Sequence, residues 1–300
     1  MRRIRDVDAR SVDTFLRCLH DERPDDPRVV AMRRRWFEAH REHGLRAKVV
    51  VNARDEVVAL GQAVPIEQSH LLGRDLLAIL CVWVHGYAHH LGNRQGRGHG
   101  RAILEALERE ARQAGFAGVA AWGMDFPYWN PVSFYEHMGY ARSDQQGQAV
   151  LVWKRFRASA EPPRFRHQRQ RPSGDPDKVS LHVFVHGWCM GACGQCVTAR
   201  DAARGLEAIV DYREIDTSER AQLEAWGISD GVYLEGAPYR PCEPPVDSAQ
   251  MRQDLVRVAA EKGLLGSEDA GRRPAGGHRG DAQTSAPPAP DDRVAKGEGE

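Results

Sequence analysis

LLAILCVWVHGYAHHLGNRQGRGHGRAILEALEREARQAG, residues 76–115, is the most informative stretch of the chain. It opens with an apolar run at residues 76–84, which is typical of a buried central strand. It closes with a segment whose apolar residues recur every three or four positions, the spacing of an amphipathic helix. The Gly-rich sequence QGRGHG at residues 95–100 lies between them. This order predicts a phosphate-binding loop between a strand and a helix.

The Gly-rich loop has the chemistry that a pyrophosphate requires. Glycines let backbone N–H groups approach phosphate oxygens, and the free donors at the following helix N-terminus add partial positive charge. Arg97 and Arg101 add full charges. A P-loop would need Lys and Ser or Thr after Gly100, and a dinucleotide fingerprint needs a small residue in place of Arg101. The motif that remains is Q-x-x-G-x-G.

Strands and helices alternate on both sides of this stretch. Before it, RRIRDV is predicted as a strand, SVDTFLRCLH and RVVAMRRRWFEAHREHG as helices, and KVVVNA with VVALGQAVPI as an antiparallel pair turning at Arg54 and Asp55. After it, FAGVAAWGM is predicted as a strand, PVSFYEHMG as a short helix and AVLVWKRF as a closing strand. Residues 1–157 are therefore predicted to form a mixed α/β domain with a mixed central sheet.

The second half contains a smaller predicted domain between two polar segments. Residues 158–178 combine prolines and arginines with few apolar residues, which predicts a linker that adds nothing to a core. The linker's RFRHQRQR run has the composition to contact RNA, but a solvated linker is the preferred interpretation. Residues 179–265 alternate strands and helices, which indicates a small α/β sheet, and residues 266–300 are predicted to be a disordered tail.

Composition excludes several partners. The chain has 42 Lys and Arg residues against 42 Asp and Glu residues, so no net field attracts nucleic acid or an anionic membrane. The basic N-terminus lacks the apolar stretch of a signal peptide, and no run approaches the ~20 apolar residues of a membrane span. We therefore predict a cytoplasmic protein with no nucleic-acid or membrane partner. The sequence gives no indication of the oligomeric state.

Two motifs together resemble the GNAT superfamily of N-acetyltransferases. The family's Arg/Gln-x-x-Gly-x-Gly/Ala signature is matched by Gln95, Gly98 and Gly100. The segment NPVSFYEHMGY, residues 130–140, is similar to the family's N-x-x-A-x-x-F-Y-x-x-x-G-F. The resemblance covers most of residues 1–157 and implies a GNAT fold, with acetyl-CoA as the co-substrate and an amine as the acceptor.

The resemblance also implies where CoA would bind. In this family the loop amides hold the pyrophosphate, and the end of the central strand, here Cys81 to Val84, pairs with the pantetheine arm. The inserted sequence HGYAHHLGN between strand and loop departs from the family pattern. The implied CoA-binding residues are Val82, Val84, Gln95, Gly96, Arg97, Gly98, His99, Gly100, Arg101 and Asn130.

Transfer to an amine needs a base for the amine and an acid for the departing thiolate. The resemblance implies that Tyr135 is the acid, because the Tyr of the family's FY pair sits beside the CoA sulfur; packing beneath the ligand is the alternative. Glu67, His70 and His85 are candidate bases, and a water chain is another. The sequence does not choose among them.

Histidines and tryptophans cluster around the same region. The histidines His85, His89, His90 and His99 have zinc-binding side chains, but the intervening glycines argue against fixed metal-ligand geometry. The aromatic residues Trp83, Trp122 and Trp129 are predicted either to line an acceptor pocket or to belong to the core.

The second predicted domain begins with a strand, then WCMGACGQC at residues 188–196, then a helix, which resembles the start of a thioredoxin fold. A helix N-terminus would stabilise a thiolate there. However, Ala192 occupies the position of the redox partner, and the sequence at residues 228–231 lacks the expected proline. Cys189, Cys193 and Cys196 are therefore predicted to have a thiol role, to bind metal, or to be buried and inert.

A GNAT domain joined to a thioredoxin-like domain resembles the YoaP-like acetyltransferases. The predicted function is transfer of an acetyl group from acetyl-CoA to an amine of an unidentified small molecule or protein. The alternative from a different class is a thiol- or metal-responsive sensor, or an oxidoreductase, that uses the C-terminal cysteines and holds CoA as a ligand.

Overall fold

The computed structural model describes residues 3–19, 26–88, 90–127, 130–240 and 246–265. The predictions made for His89, Trp129 and the tail at 266–300 therefore lie outside the described residues. Among the helices of the described segments, none is long and apolar enough to cross a membrane.

A mixed seven-stranded sheet forms the centre of the first domain, as predicted. Its spatial order is β1-β2-β3-β5-β6-β8-β7; β5 and β6 run parallel, and the other neighbouring pairs run antiparallel. The strands in chain order, with β4 outside this sheet, are β1 (Arg3–Asp6), β2 (Arg46–Val51), β3 (Val57–Pro65), β4 (Leu71–Leu72), β5 (Leu76–Val84), β6 (Gly118–Met124), β7 (Ala141–Gln146) and β8 (Ala149–Arg155).

Helices cover both faces of this sheet. In the described segments these α-helices are α1 (Val12–Leu16), α2 (Pro27–Arg41), α3 (His99–Gln113) and α4 (Val132–His137). The apolar face of α3 packs Ile103, Leu104 and Leu107 against one face of the sheet, as the helical spacing predicts. On the other face, Phe15 of α1 and Trp36 of α2 cover alternate strand residues.

The central strand β5 separates from β6 halfway along its length. Leu76 to Ile79 pair with β6, whereas the second half of β5 pairs with β3 alone. The register shift in the β3–β5 pairing, where Gln62 lies opposite Cys81 and Ala63 opposite Ile79, leaves Leu80 as an extra residue. Such a bulge bends a strand, so Leu80 marks the point where β5 leaves its neighbour.

The second domain contains a four-stranded sheet in the order β11-β10-β12-β13. The central strand β10 runs parallel to β11 and antiparallel to β12. The elements, in chain order after the short strand β9 (Arg164–Phe165), are β10 (Val179–Val185), α5 (Met190–Ala203), β11 (Val210–Asp216), α6 (Arg220–Trp226), β12 (Gly231–Leu234), β13 (Ala237–Pro238) and α7 (Ser248–Glu261).

Two sequence-based expectations are wrong. Helix α5 starts at Met190, not at Val197, because Cys193 and Cys196 behave as small apolar residues on its buried face. The segment at 158–178 does contribute to a core: β9 pairs with β4, and Phe165 is buried in a cluster with Leu71. Its aromatic ring is therefore not available to stack on a nucleobase.

The two sheets are packed together through exchanged side chains. Val29 of α2 belongs to the core of the second domain, and Trp188 belongs to a core of the first. Arg28 forms a two-pronged ion pair with Asp201 at 2.8 and 2.6 Å. The second domain is therefore a fixed part of the molecule rather than a tethered module.

Candidate functional site

The Gly-rich loop and the open half of β5 enclose a cleft of about 370 Å³. All but one of the predicted CoA-binding residues line it; the exception is Arg97, which is exposed beside the cleft. The predicted residues that line the cleft are Val82, Val84, Gln95, Gly96, Gly98, His99, Gly100, Arg101 and Asn130.

Gly98 sets the geometry of the loop at the start of α3. Its φ of 75° is a left-handed conformation that glycine adopts without strain, and it caps α3 without a side chain. The backbone N–H groups of the first turn point out of a helix N-terminus, here toward the cleft. Gly100 leaves room beside Phe134, whose ring lies 3.3 Å from where a Cβ would stand. These features suit an approaching pyrophosphate.

The inserted sequence between β5 and the loop does not displace the loop. The backbone N–H of Arg94 donates to the carbonyl of His85 at 2.8 Å, so the insertion closes on itself. The side chain of Gln95 then reaches back to the carbonyl of Val84, with its Nε2 at 3.5 Å. The Gly-rich loop therefore lies directly beside the end of the strand.

A second cavity, of about 580 Å³, lies between the two domains. It shares Val82, Trp83 and Asn130 with the cleft, so the two spaces meet at the open edge of β5. We call it the acceptor cavity. Residues of the second domain, Trp188 and Cys189 among them, form its far wall. Ligands bound in the cleft and in the cavity would therefore meet where β5 leaves β6.

A chain of hydrogen bonds crosses the gap between β5 and β6. Trp122 donates from its indole Nε1 to the carbonyl of Leu80 at 3.0 Å. Asn130 donates from its side-chain amide to the carbonyl of Trp122 at 2.9 Å, and its Oδ1 accepts from the hydroxyl of Tyr135 at 3.2 Å. These bonds hold the gap open at a fixed width and tie Tyr135 to it.

Tyr135, the predicted acid, lies one residue behind the cavities. It is 1% exposed, packs in the core under α3, and reaches the meeting point through Asn130. Burial raises the pKa of Tyr135 above its ordinary value, and the nearby Cys81 thiol adds to this effect. The phenol is therefore protonated at neutral pH, which is the form that a proton donor requires.

The structure separates the three candidate bases. His70 lines the acceptor cavity, and its Nδ1 has no hydrogen-bond partner among the described residues. The carboxylate of Glu67 is exposed and accepts from the backbone N–H of Asp75 at 2.9 Å. His85 is 1% exposed beneath the inserted loop, with its Nδ1 3.1 Å from the carbonyl of Gly92. Of the three, His70 is the one placed at the cavity.

Stacked rings form one side of the acceptor cavity. The ring of His186 stacks on Trp188 at 4.2 Å, and the ring of His70 lies 5.9 Å from Trp188 at an angle of 21°. Burial lowers the pKa of both histidines to about 4, and His186 adds to the effect on His70. Both imidazoles are therefore neutral at pH 7. Local sequence patterns did not predict that Trp188 and His186 line this cavity, because the contact between the domains is formed by the fold.

The cysteines of the second domain are not activated. Burial raises the pKa of Cys189 to about 11 and those of Cys193 and Cys196 to about 12. Burial therefore acts against the stabilisation of a thiolate that is expected from the helix N-terminus. Cys189 caps α5 and lines the acceptor cavity, whereas Cys193 and Cys196 face the core.

The described segments hold no group of three or more His, Cys, Asp or Glu residues arranged to bind a metal ion. Their five cysteines, Cys18, Cys81, Cys189, Cys193 and Cys196, are free thiols.

Sequence comparison finds a family model that resembles the first domain. Residues 11–140 match the family model described as Acetyltransferase (GNAT) family. Among curated proteins, the Uncharacterized N-acetyltransferase YoaP of Bacillus subtilis (strain 168) is 24% identical over 208 residues, which is 65% of this chain and 75% of that protein. The comparisons lend no support to the alternative of a thiol or metal sensor.

Structure comparison retrieves proteins of similar description at low similarity. A putative acetyltransferase of the GNAT family from Desulfovibrio desulfuricans has a TM-score of 0.40 and 15% identity over 52% of this chain and 99% of its own. Ribosomal-protein-alanine N-acetyltransferase from Brucella melitensis has a TM-score of 0.39 and 19% identity over 51% of this chain and 99% of its own.

Proposed function

We propose that this chain, whose residues 11–140 match the model of the GNAT acetyltransferase family, transfers the acetyl group of acetyl-CoA directly to an amine bound in the acceptor cavity. Acetyl-CoA is the donor of this family. The observation that carries the proposal is the meeting of cleft and acceptor cavity at Val82, Trp83 and Asn130, on the open edge of β5. A thioester at that point would be in reach of an amine from the other side.

The donor would lie along the cleft. Its pyrophosphate would accept hydrogen bonds from the loop amides at Gly96 to Gly100 and interact with the guanidinium of Arg101, which lines the cleft. The pantetheine amides would pair with the edge of β5 at Val82 and Val84. This edge is open because the pairing of β5 with β6 ends at Ile79. The acetyl thioester would then reach the gap that Trp122 and Asn130 span.

The chemistry is one nucleophilic substitution at the thioester carbonyl. The amine nitrogen forms a bond to carbon, and backbone N–H groups at the β5 edge stabilise the oxyanion of the tetrahedral intermediate. The carbon–sulfur bond then breaks, and the CoA thiolate is protonated; Tyr135, which the side chain of Asn130 separates from the cleft, is the proposed source of this proton. The amine's own proton leaves through His70 or through water in the acceptor cavity. In this scheme Asn130 orients the Tyr135 hydroxyl.

We further propose that the second domain is thioredoxin-like and serves as the wall of the acceptor cavity. Its parallel β10–β11 pair and antiparallel β10–β12 pair, with Trp188 and Cys189 leading into α5, support this likeness. The raised pKa values of its thiols disfavour a redox role. Reduced thiols are typical of the cytoplasm, where we place the reaction.

The proposal is tested by incubating the full chain with acetyl-CoA and pooled amines. Free CoA is quantified by chromatography, since the protein's own thiols would react with a colorimetric thiol reagent, and products are identified by mass spectrometry. We expect CoA release that depends on the amine and matches the acetylated product in amount. Equal CoA release with and without amine, and no acetylated product, would contradict the proposal.

A further inference from the structure

A third cavity, of about 350 Å³, adjoins the acceptor cavity. The two share several wall residues, so a ligand in one can extend into the other. The shared residues are His70, Gln146, Phe165, Ser229 and Asp230. One further residue of its wall, Arg166, distinguishes this cavity from the aromatic one beside it.

Arg166 is a buried cation that the segment at 158–178 carries into the cavity wall. Its side chain is held there because Phe165 is buried in the core and the carbonyl of Arg166 accepts from Gln146 Nε2 at 2.8 Å. Arg166 is 9% exposed. Burying a charge without a partner is costly, so such a residue normally has a counter-ion.

The guanidinium of Arg166 lacks that counter-ion among the described residues. Its Nε and Nη2 are buried and have no hydrogen-bond partner there. These two N–H groups point the same way and form the edge on which an arginine holds a carboxylate with two parallel hydrogen bonds. The charges nearest to it include Arg220 and Arg169, whereas Glu224 is paired with Arg220 at 2.5 Å. Burial lowers the pKa of Arg166 to about 10, so it is still charged at neutral pH.

The carboxylate of Asp230 lies in the wall of the third cavity, as Arg166 does. Asp230 lines both cavities; its Oδ1 accepts from the hydroxyl of Ser229 at 2.7 Å and lies 3.8 Å from Nε2 of His186. Because His186 is neutral at pH 7, it does not neutralise this carboxylate. One cation and one anion along connected cavities are the charges that a zwitterion requires.

We propose that Arg166 binds the carboxylate of the acceptor, and that the acceptor is therefore an amino acid rather than a simple amine. The carboxylate lies on the Nε–Nη2 edge of Arg166, Asp230 attracts the incoming ammonium group, and the side chain of the acceptor packs among the tryptophans of the acceptor cavity. This inference rests on the proposed acetyl transfer and names the substrate class of that site.

The test compares L-α-amino acids with their C-terminal amides, which keep the amine and side chain but lack the carboxylate. Steady-state kcat/KM is measured for wild type, Arg166→Met, Arg166→Lys and the control Arg164→Met, which removes an exposed arginine of the same β9 ribbon. We expect wild type to favour at least one acid over its amide by about tenfold or more. Arg166→Met should reduce kcat/KM for that acid by about 100-fold, mainly through KM, and leave the amide unchanged.

The remaining measurements distinguish the effect of the Arg166 charge on kcat/KM from the effects of its hydrogen-bond geometry and of protein stability. Arg166→Lys keeps the charge but loses the two-pronged edge, so it should lose about tenfold. Arg166→Met should unfold at an equal or higher temperature than wild type, because it removes a buried unpaired charge. Arg164→Met should match wild type throughout.

Preference for the amides, or an acid preference that survives in Arg166→Met, would overturn the inference. Turnover of other amines but of neither acids nor amides would also overturn it while leaving acetyl transfer intact. Failure of the protein to bind acetyl-CoA would instead contradict the proposed function.

Discussion

The side-chain amide of Gln62, on β3, donates a hydrogen bond of 3.0 Å to the backbone carbonyl of Trp188 in the second domain. Gln62 lies opposite Cys81 on β5, beside the bulge where that strand leaves β6. Gln62 therefore positions Trp188 in the wall of the acceptor cavity, and it lies on the strand that pairs with β5. Residues of β5 line the same cavity. Moving the second domain would change the space available to an acceptor.

Trp188→Ala should lower stability and weaken acceptor binding together. Trp188 is 8% exposed in the core of the first domain, so its removal should reduce the free energy of unfolding by about 3–5 kcal/mol. It should also raise KM for the acceptor and leave acetyl-CoA affinity unchanged. Trp226→Ala, on Phe184 within the second domain, is the matched control and should alter stability alone. Equal effects of both variants on KM would argue against this role of the wall.

Tyr135→Phe should slow the chemical step. Loss of a general acid reduces kcat by roughly 10²-fold or more, whereas acetyl-CoA affinity should be unchanged because Tyr135 does not line the cleft. Tyr140→Phe removes a neighbouring buried phenol, 5.8 Å from the Tyr135 ring, and should retain kcat. Single-turnover rates distinguish the two. An unchanged rate in Tyr135→Phe would reduce Tyr135 to a packing residue.

Stability should fall as pH drops from about 6.5 toward 4. The pKa of the partly buried His70 and that of the buried His186 are lowered to about 4, whereas an unfolded histidine titrates near about 6.5. In this window the unfolded chain binds more protons than the folded chain, so the free energy of unfolding rises with pH and is fully gained above it. Each proton contributes up to ~1.4 kcal/mol per pH unit.

Urea unfolding across this pH range checks that prediction. His70→Phe keeps the ring stack on Trp188. It should reduce the pH dependence of the free energy of unfolding by the contribution of one titrating group. His43→Phe replaces an exposed histidine and should leave the slope unchanged. A wild-type slope that persists in His70→Phe would show that other groups titrate in the window.

The cysteine at the cavity should react slowly. With a pKa of about 11, Cys189 is only about 0.1% thiolate at pH 8, and its alkylation rate should rise about tenfold per pH unit up to that pKa. Peptide mapping after timed iodoacetamide treatment measures this rate. Cys193→Ala, in the core behind it, should retain acetyl transfer. Fast alkylation of Cys189 near pH 7 would contradict this prediction and would favour a thiol function for the second domain.

Local patterns in the sequence predicted most of the first domain. The apolar run of β5, the Gly-rich loop and the helical spacing in α3 each depend on neighbours in the chain, and the loop residues line the cleft. The site residues supplied by distant contacts were missed. Arg166 lies in a polar segment that local composition marks as a linker, and its burial follows from the pairing of β9 with β4.

The second domain shows a different limit of sequence reasoning. The helix was predicted to begin after Cys196, but the small residues Cys193 and Cys196 pack on a helix face against the sheet. The pKa of a thiol depends on burial as well as on a helix dipole, and burial is a property of the folded chain. The chemistry of these cysteines was therefore not readable from their spacing.

Calorimetry of acetyl-CoA binding to wild type, Gly98→Glu and Gly147→Glu measures whether the loop at residues 95–100 holds the pyrophosphate of acetyl-CoA. Both variants place a carboxylate at a glycine of positive φ, but Gly147 lies in the distant turn between β7 and β8. We predict binding to wild type and Gly147→Glu, and a loss of at least about 30-fold, ~2 kcal/mol, in Gly98→Glu. Equal binding to all three proteins, or none to wild type, would contradict the account.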